Sequence, residues 1–134
     1  MPKRDDFRPR LAAYVAVCAR RNFRPGSHDC ALFAAGAVKE MTGQDLARGF
    51  RSYRSLKAGR KRLADKGFED LADFVASKLP EIPPLMAQVG DVAVLEDDNG
   101  QTALGIVQGP MIYVLRPSGL GTVPLADAKR AFRV

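Results

Sequence analysis

A chain of 134 residues, 46% hydrophobic and 27% charged, is long enough to bury a core of its own without covalent staples. Two cysteines are too few for a disulfide framework, which excludes the small disulfide-rich secreted domains. The net charge of +6 suits a protein drawn to an acidic partner, and the longest apolar run is well short of the roughly 18 to 20 residues a bilayer span requires.

Residues 1–10 are polar and charged and lack the apolar stretch of a signal peptide, so synthesis in the cytoplasm as a soluble protein is expected. Leu11, Tyr14, Val15 and Cys18 recur at helical spacing, which predicts an amphipathic helix over Arg8 to Arg20 with Cys18 as a small core filler. Asn22 to Ser27 carries turn chemistry. A second helix is expected from Cys30 to Met41, ending at Thr42-Gly43 where Gly43 suits a left-handed cap. Its residues are small and apolar on most sides, so it should be a central, buried helix.

From Gln44 to Gly67 the pattern weakens to a helical turn at Asp45 to Arg48 and a short helix from Ser55 to Lys66. Leu71, Phe74, Val75 and Leu79 mark a further helix from Glu69 to Leu79, stopped by Pro80. After the stiff connection of Pro80, Pro83 and Pro84 the signals become those of strands. Strands are expected at Asp91 to Leu95, Thr102 to Gln108 and Met111 to Arg116, with turns at Asp97 to Gly100 and at Gly109-Pro110. Pro117 to Gly121 reads as a loop, Thr122-Val123 as extended, Pro124 to Arg130 as a helical turn and Phe132 to Val134 as a last short strand. Helices followed by an antiparallel meander make an α+β fold in one domain over residues 1–134, mainly helical over 1–80 and mainly β over 87–134, with the cysteine helix packed on a small sheet.

Much of the positive charge falls between Arg48 and Lys66. A solvated helix face with its loop is preferred over nucleic-acid contact, because the interleaved aromatics are limited to Phe50 and Tyr53 and no nucleic-acid motif surrounds them.

The chemistry-bearing motif is His28-Asp29-Cys30, which holds the one histidine of the chain at the start of the second helix. Amides and the macrodipole at a helix N-terminus stabilise a thiolate, which makes Cys30 the candidate nucleophile and His28 the candidate base. A side chain two residues before a helix start diverges from the thiol, however, and for His28 a role bracing the turn through a backbone hydrogen bond, or a place at the surface, is preferred. Asp29 reads as the helix N-cap and Asp91 as a structural cap, a turn carboxylate accepting nearby N–H bonds. Cys18 and Cys30 stand twelve residues apart, which matches no zinc pattern, and no cofactor or metal is expected.

The order of Asp29-Cys30, Gly90-Asp91-Val92 and Ala103-Leu104-Gly105-Ile106-Val107-Gln108-Gly109 resembles the NlpC/P60 papain-like cysteine peptidases. The extended pattern, with His28 to Phe33, Thr42-Gly43-Gln44-Asp45, Gly90 to Val94, Gly119-Leu120 and Val123-Pro124, resembles a small branch of unassigned function found in phage and prophage tail gene clusters. The resemblance implies a papain-like fold and places Ala103 where the peptidases carry their catalytic histidine. Tyr113 is the one polar residue that the following strand offers to orient an imidazole, and Ala31-Leu32 replaces the serine-glycine after the cysteine.

The expectation is therefore a phage or prophage tail component, at the tip or hub, with an incomplete catalytic site. It would act in tail assembly or cell-wall engagement, with other tail proteins and peptidoglycan as partners, made in the bacterial cytoplasm and resident in the virion tail. The alternative is an active cysteine peptidase or amidase on peptidoglycan stem peptides with Cys30 as nucleophile. A basic nucleic-acid-binding module is the third reading.

Overall fold

The computed structural model describes residues 2–134. Four α-helices come first, α1 (Phe7–Cys18), α2 (Cys30–Thr42), α3 (Leu56–Asp65) and α4 (Leu71–Ala76). Six strands follow, β1 (Glu81–Ile82), β2 (Val92–Glu96), β3 (Thr102–Val107), β4 (Met111–Arg116), β5 (Gly119–Pro124) and β6 (Arg130–Phe132), with 3₁₀ turns at Pro84–Met86 and Leu125–Asp127. The α+β architecture is the expected one, with the cysteine helix against one antiparallel sheet.

Helix α2 is stopped at both ends by its sequence. Asp29 Oδ1 accepts from the Leu32 amide at 3.0 Å, and Gly43 caps the other end at φ 86°, a conformation that costs glycine little. Between the caps, Phe33, Ala34, Ala37, Val38 and Met41 are fully buried and meet Val92, Val94, Leu104, Ile106 and Phe132 of the sheet. Helix α1 lies on the far side of α2 and approaches at Gly36, where the Tyr14 ring fills the space a side chain would need. The Tyr14 ring stacks on Phe33 at 5.7 Å, and its hydroxyl donates to the Phe33 carbonyl at 2.8 Å.

Helix α4 is shorter than its periodicity suggests. Asp70 caps it through the Asp73 amide at 2.8 Å, and the chain leaves the helix at Ser77. Pro80 disfavours helical backbone at Leu79, so the last apolar residues continue as turns.

The sheet is wholly antiparallel, in the order β1-β6-β2-β3-β4-β5. Two departures from the simple meander arise from pairing. The proline-flanked β1 is an edge strand, a place that tolerates proline, and β6 inserts between it and β2 instead of closing the outer edge. Strand β5 begins at Gly119, because β4 and β5 form a hairpin across Pro117-Ser118 with register from Arg116↔Gly119 to Met111↔Pro124. Side chains alternate along the strands, so Ala93, Leu95, Val107, Ile112 and Val114 make a second cluster on the outer face. Leu125 of the second 3₁₀ segment and Ala128 just after it close over that cluster, along with Ala87.

Candidate functional site

The turn leading into α2 closes through two backbone bonds between Arg24 and His28, each 2.8 Å. At its apex Gly26 has φ 81° and lies so close to the Tyr53 carbonyl that an added Cβ would come within 1.9 Å of the oxygen. Asp29 is fully buried and accepts three hydrogen bonds: Oδ1 from Leu32, and Oδ2 from the Gly26 amide at 3.0 Å and from the Tyr53 hydroxyl. One carboxylate thus ties the turn, the first turn of α2 and the segment around Tyr53 together. Nothing in the local pattern marks Tyr53 as its partner, since the two are 24 residues apart.

His28 is also buried, and its ring turns toward the end of α1. Nε2 lies 3.1 Å from the Cys18 carbonyl, an acceptor only, so Nε2 carries the proton. Burial holds the imidazole below its ordinary pKa, with the Arg21 charge acting the same way, and the Cys18 carbonyl and Asp29 only partly offset this. The structure therefore places His28 against α1 and joins it by no hydrogen bond to Cys30.

Cys30 is the first residue of α2 and is half-buried. A thiol stabilised as thiolate is expected from the helix terminus, and the structure reverses this. Burial pushes the Cys30 thiol up to about 11, and the Asp29 and Asp97 carboxylates act in the same direction. The amides of Leu104 and Ala31 pull the other way without overcoming it.

The strand opposite Cys30 is β3. In the β2–β3 ladder Leu95 pairs with Ala103 and Val94 with Leu104, and paired residues share a face. Leu104 and Val94 belong to the helix-side core and Leu95 to the outer cluster, so the Ala103 side chain points away from α2. The resemblance puts the peptidase histidine at Ala103; the positions of β3 that face α2 at this level are Thr102 and Leu104. Neither can take a proton from a thiol. The Thr102 hydroxyl donates to Asp70 Oδ2 at 3.2 Å. Tyr113 pairs with Ile106 and packs against the helix-side core, half-buried.

A cavity of about 150 Å³ opens beside the thiol. Its walls are α2 with Cys30 and Leu32, the 46–63 segment with Phe50 and Tyr53, and α4 with Phe74. Phe50 and Phe74 meet edge to face at 5.0 Å. Phe50 and Tyr53 were legible only as isolated aromatics in a basic stretch; the outer wall they form is a tertiary feature.

Asp91 lies elsewhere. It is buried, accepts from the Gln88 amide at 2.9 Å and the Val134 amide at 3.1 Å, and has the Lys3 ammonium at 3.7 Å. It thus ties the start of β2 to the last residue of the chain. In the basic segment Arg51 binds Asp45 through two bonds of 2.8 and 3.0 Å, Lys61 lies 3.4 Å from Asp65, and Lys66 sits over the Phe50 ring. Among the described residues no three His, Cys, Asp or Glu side chains converge as a metal ion requires, and no helix is long and apolar enough to cross a membrane.

The arrangement is similar to that of a solved structure, the NlpC/p60 domain of the peptidoglycan hydrolase SagA, with a TM-score of 0.59 over 96% of each chain. At 13% identity the likeness is one of fold. No curated protein sequence matches the chain. The family described as "Domain of unknown function (DUF6950)" matches residues 2–134. The helices and sheet described above are thus those of an NlpC/P60-like fold, and the chain belongs to the DUF6950 family.

Proposed function

We propose that this chain, as one domain over residues 1–134, is a non-hydrolytic NlpC/P60-like module that binds a peptide segment in the cavity beside Cys30. We place it in a phage or prophage tail, in tail assembly or in engagement of the cell wall.

The observation that carries the non-hydrolytic reading is the missing base. A cysteine peptidase needs an imidazole that takes the thiol proton and returns it to the leaving amine. Here the one histidine is bonded to the Cys18 carbonyl, and β3 offers Thr102 and Leu104 toward α2. Burial holds the thiol well above its ordinary value, so it stays protonated at pH 7. What remains is a concave, largely apolar cavity with polar residues among its lining, of a size to take one side chain of a peptide. The shared fold supports a wall-related ligand, and the order of motifs from His28 to Pro124 supports the tail setting.

The test is incubation of purified protein and of Cys30→Ala with peptidoglycan sacculi. Both are expected to sediment with the sacculi and to release no soluble fragments. Fragments released by the wild type and not by Cys30→Ala would overturn the reading in favour of an active peptidase or amidase with Cys30 as nucleophile.

A further inference from the structure

On the other side of the 51–53 segment lies a second, polar cleft of about 450 Å³, and Leu32 is the residue that borders both it and the Cys30 cavity. Two arginines line this cleft, Arg21 from the turn after α1 and Arg51 from the segment before α3, together with Ser27 and Ser52. Arg51 is held in place by its paired bonds to Asp45, which leave its Nε–H and outward hydrogens available. Arg21 has no carboxylate partner among the described residues; its contact is with Ser27 Oγ at 3.4 Å, and it leaves that hydroxyl free to donate. Arg20 and Arg24 flank the same turn in sequence. Glu40 is a further carboxylate near this region, and its charge is felt by the hydroxyl of Tyr14, which also lines the cleft.

A second feature coincides with the cleft. Ser52 has φ 70°, the one non-glycine residue among those described with a left-handed backbone. Such conformations are costly for a residue with a side chain and concentrate at ligand sites. Its amide donates to the Gly26 carbonyl at 3.0 Å, which fastens the strained residue to the opposite lip of the cleft, where Gly26 is also left-handed.

We propose that this cleft is a binding site for a phosphoryl group. Four residues with donor side chains, from two separate segments, line one concavity, and a tetrahedral anion with three free oxygens uses such a set better than a two-oxygen carboxylate. The volume accommodates the phosphoryl group with the small organic group it esterifies. The exposed Lys57 of α3 and its neighbour Lys61 lie outside the cleft, which favours a small phosphate ester over a polyanion laid along the surface.

The test is titration of the full chain with inorganic phosphate and with glycerol 3-phosphate at fixed ionic strength, followed by amide NMR shifts. Saturable shifts at the Ser27 and Ser52 amides are expected with both probes. Arg21→Ala, at an exposed position, should weaken binding by about tenfold or more with an unchanged melting midpoint, and Arg48→Ala, outside the cleft, should leave affinity unchanged. Shifts that do not saturate, or equal weakening by Arg48→Ala, would overturn the site as general charge attraction. Displacement of phosphate by duplex DNA whose own binding falls as far on Lys57→Ala as on Arg21→Ala would overturn it as a polyanion surface.

Discussion

A thiol at the first turn of a helix is pulled in two directions. Backbone amides and the macrodipole favour the thiolate, while burial and neighbouring carboxylates favour the thiol. At Cys30 burial wins, helped by Asp29 and Asp97, and the thiol sits at about 11. The rate of alkylation by iodoacetamide, followed by mass spectrometry, should therefore be low at pH 7 and still climbing at pH 9. It should rise at a given pH in Asp97→Asn, because that change removes a negative charge that opposes the thiolate. A plateau below pH 8 would contradict the raised value. The motif His28-Asp29-Cys30 made the cap at Asp29 readable, since Asp before an apolar helix has a local meaning. The direction of the His28 ring was not readable, because its partner is a carbonyl ten residues upstream on another helix.

At the scale of elements, α2 depends on close approach by its neighbours. An ideal Cβ at Gly36 would fall 2.1 Å from the Tyr14 hydroxyl oxygen. Gly36→Ala gains about 1 kcal/mol of helix propensity, but overpacking costs about 1 to 3 kcal/mol, and the Tyr14 bond to the Phe33 carbonyl is displaced as well. Urea denaturation should show a net loss of about 1 to 2 kcal/mol. Because the first atom met is the hydroxyl, the double variant Gly36→Ala/Tyr14→Phe should recover part of the loss. Greater stability of Gly36→Ala alone would show that Tyr14 moves aside at no cost. The helices and strands with strong periodicity, α1, α2, β2, β3 and β4, could be read within a few residues from the chain. The ones that could not, β1 and the start of β5, lack an apolar pattern and exist through their partners β6 and β4.

The whole molecule is closed by its last residues. β6 lies between β1 and β2, Phe132 is fully buried in the helix-side core, and the Val134 amide binds Asp91. Deleting residues 130–134 strips the pairing from both β1 and β2 and leaves a buried carboxylate short of a donor. Loss of the cooperative thermal transition by circular dichroism is the expected outcome, and retention of it would mean that the α2 core folds without the closing strand. The sequence by itself determined the α+β class, the buried cysteine helix with its two caps, and the cysteine's place at that helix's start. Those follow from hydrophobic period, cap chemistry and glycine, all local. Only the tertiary structure decided that β6 enters the interior of the sheet, that Ala103 faces away from Cys30, that Tyr53 closes over Asp29, and that Arg21 and Arg51 meet in one cleft. Each is a contact between residues distant in the chain, fixed by strand register and burial, and no period or spacing encodes it.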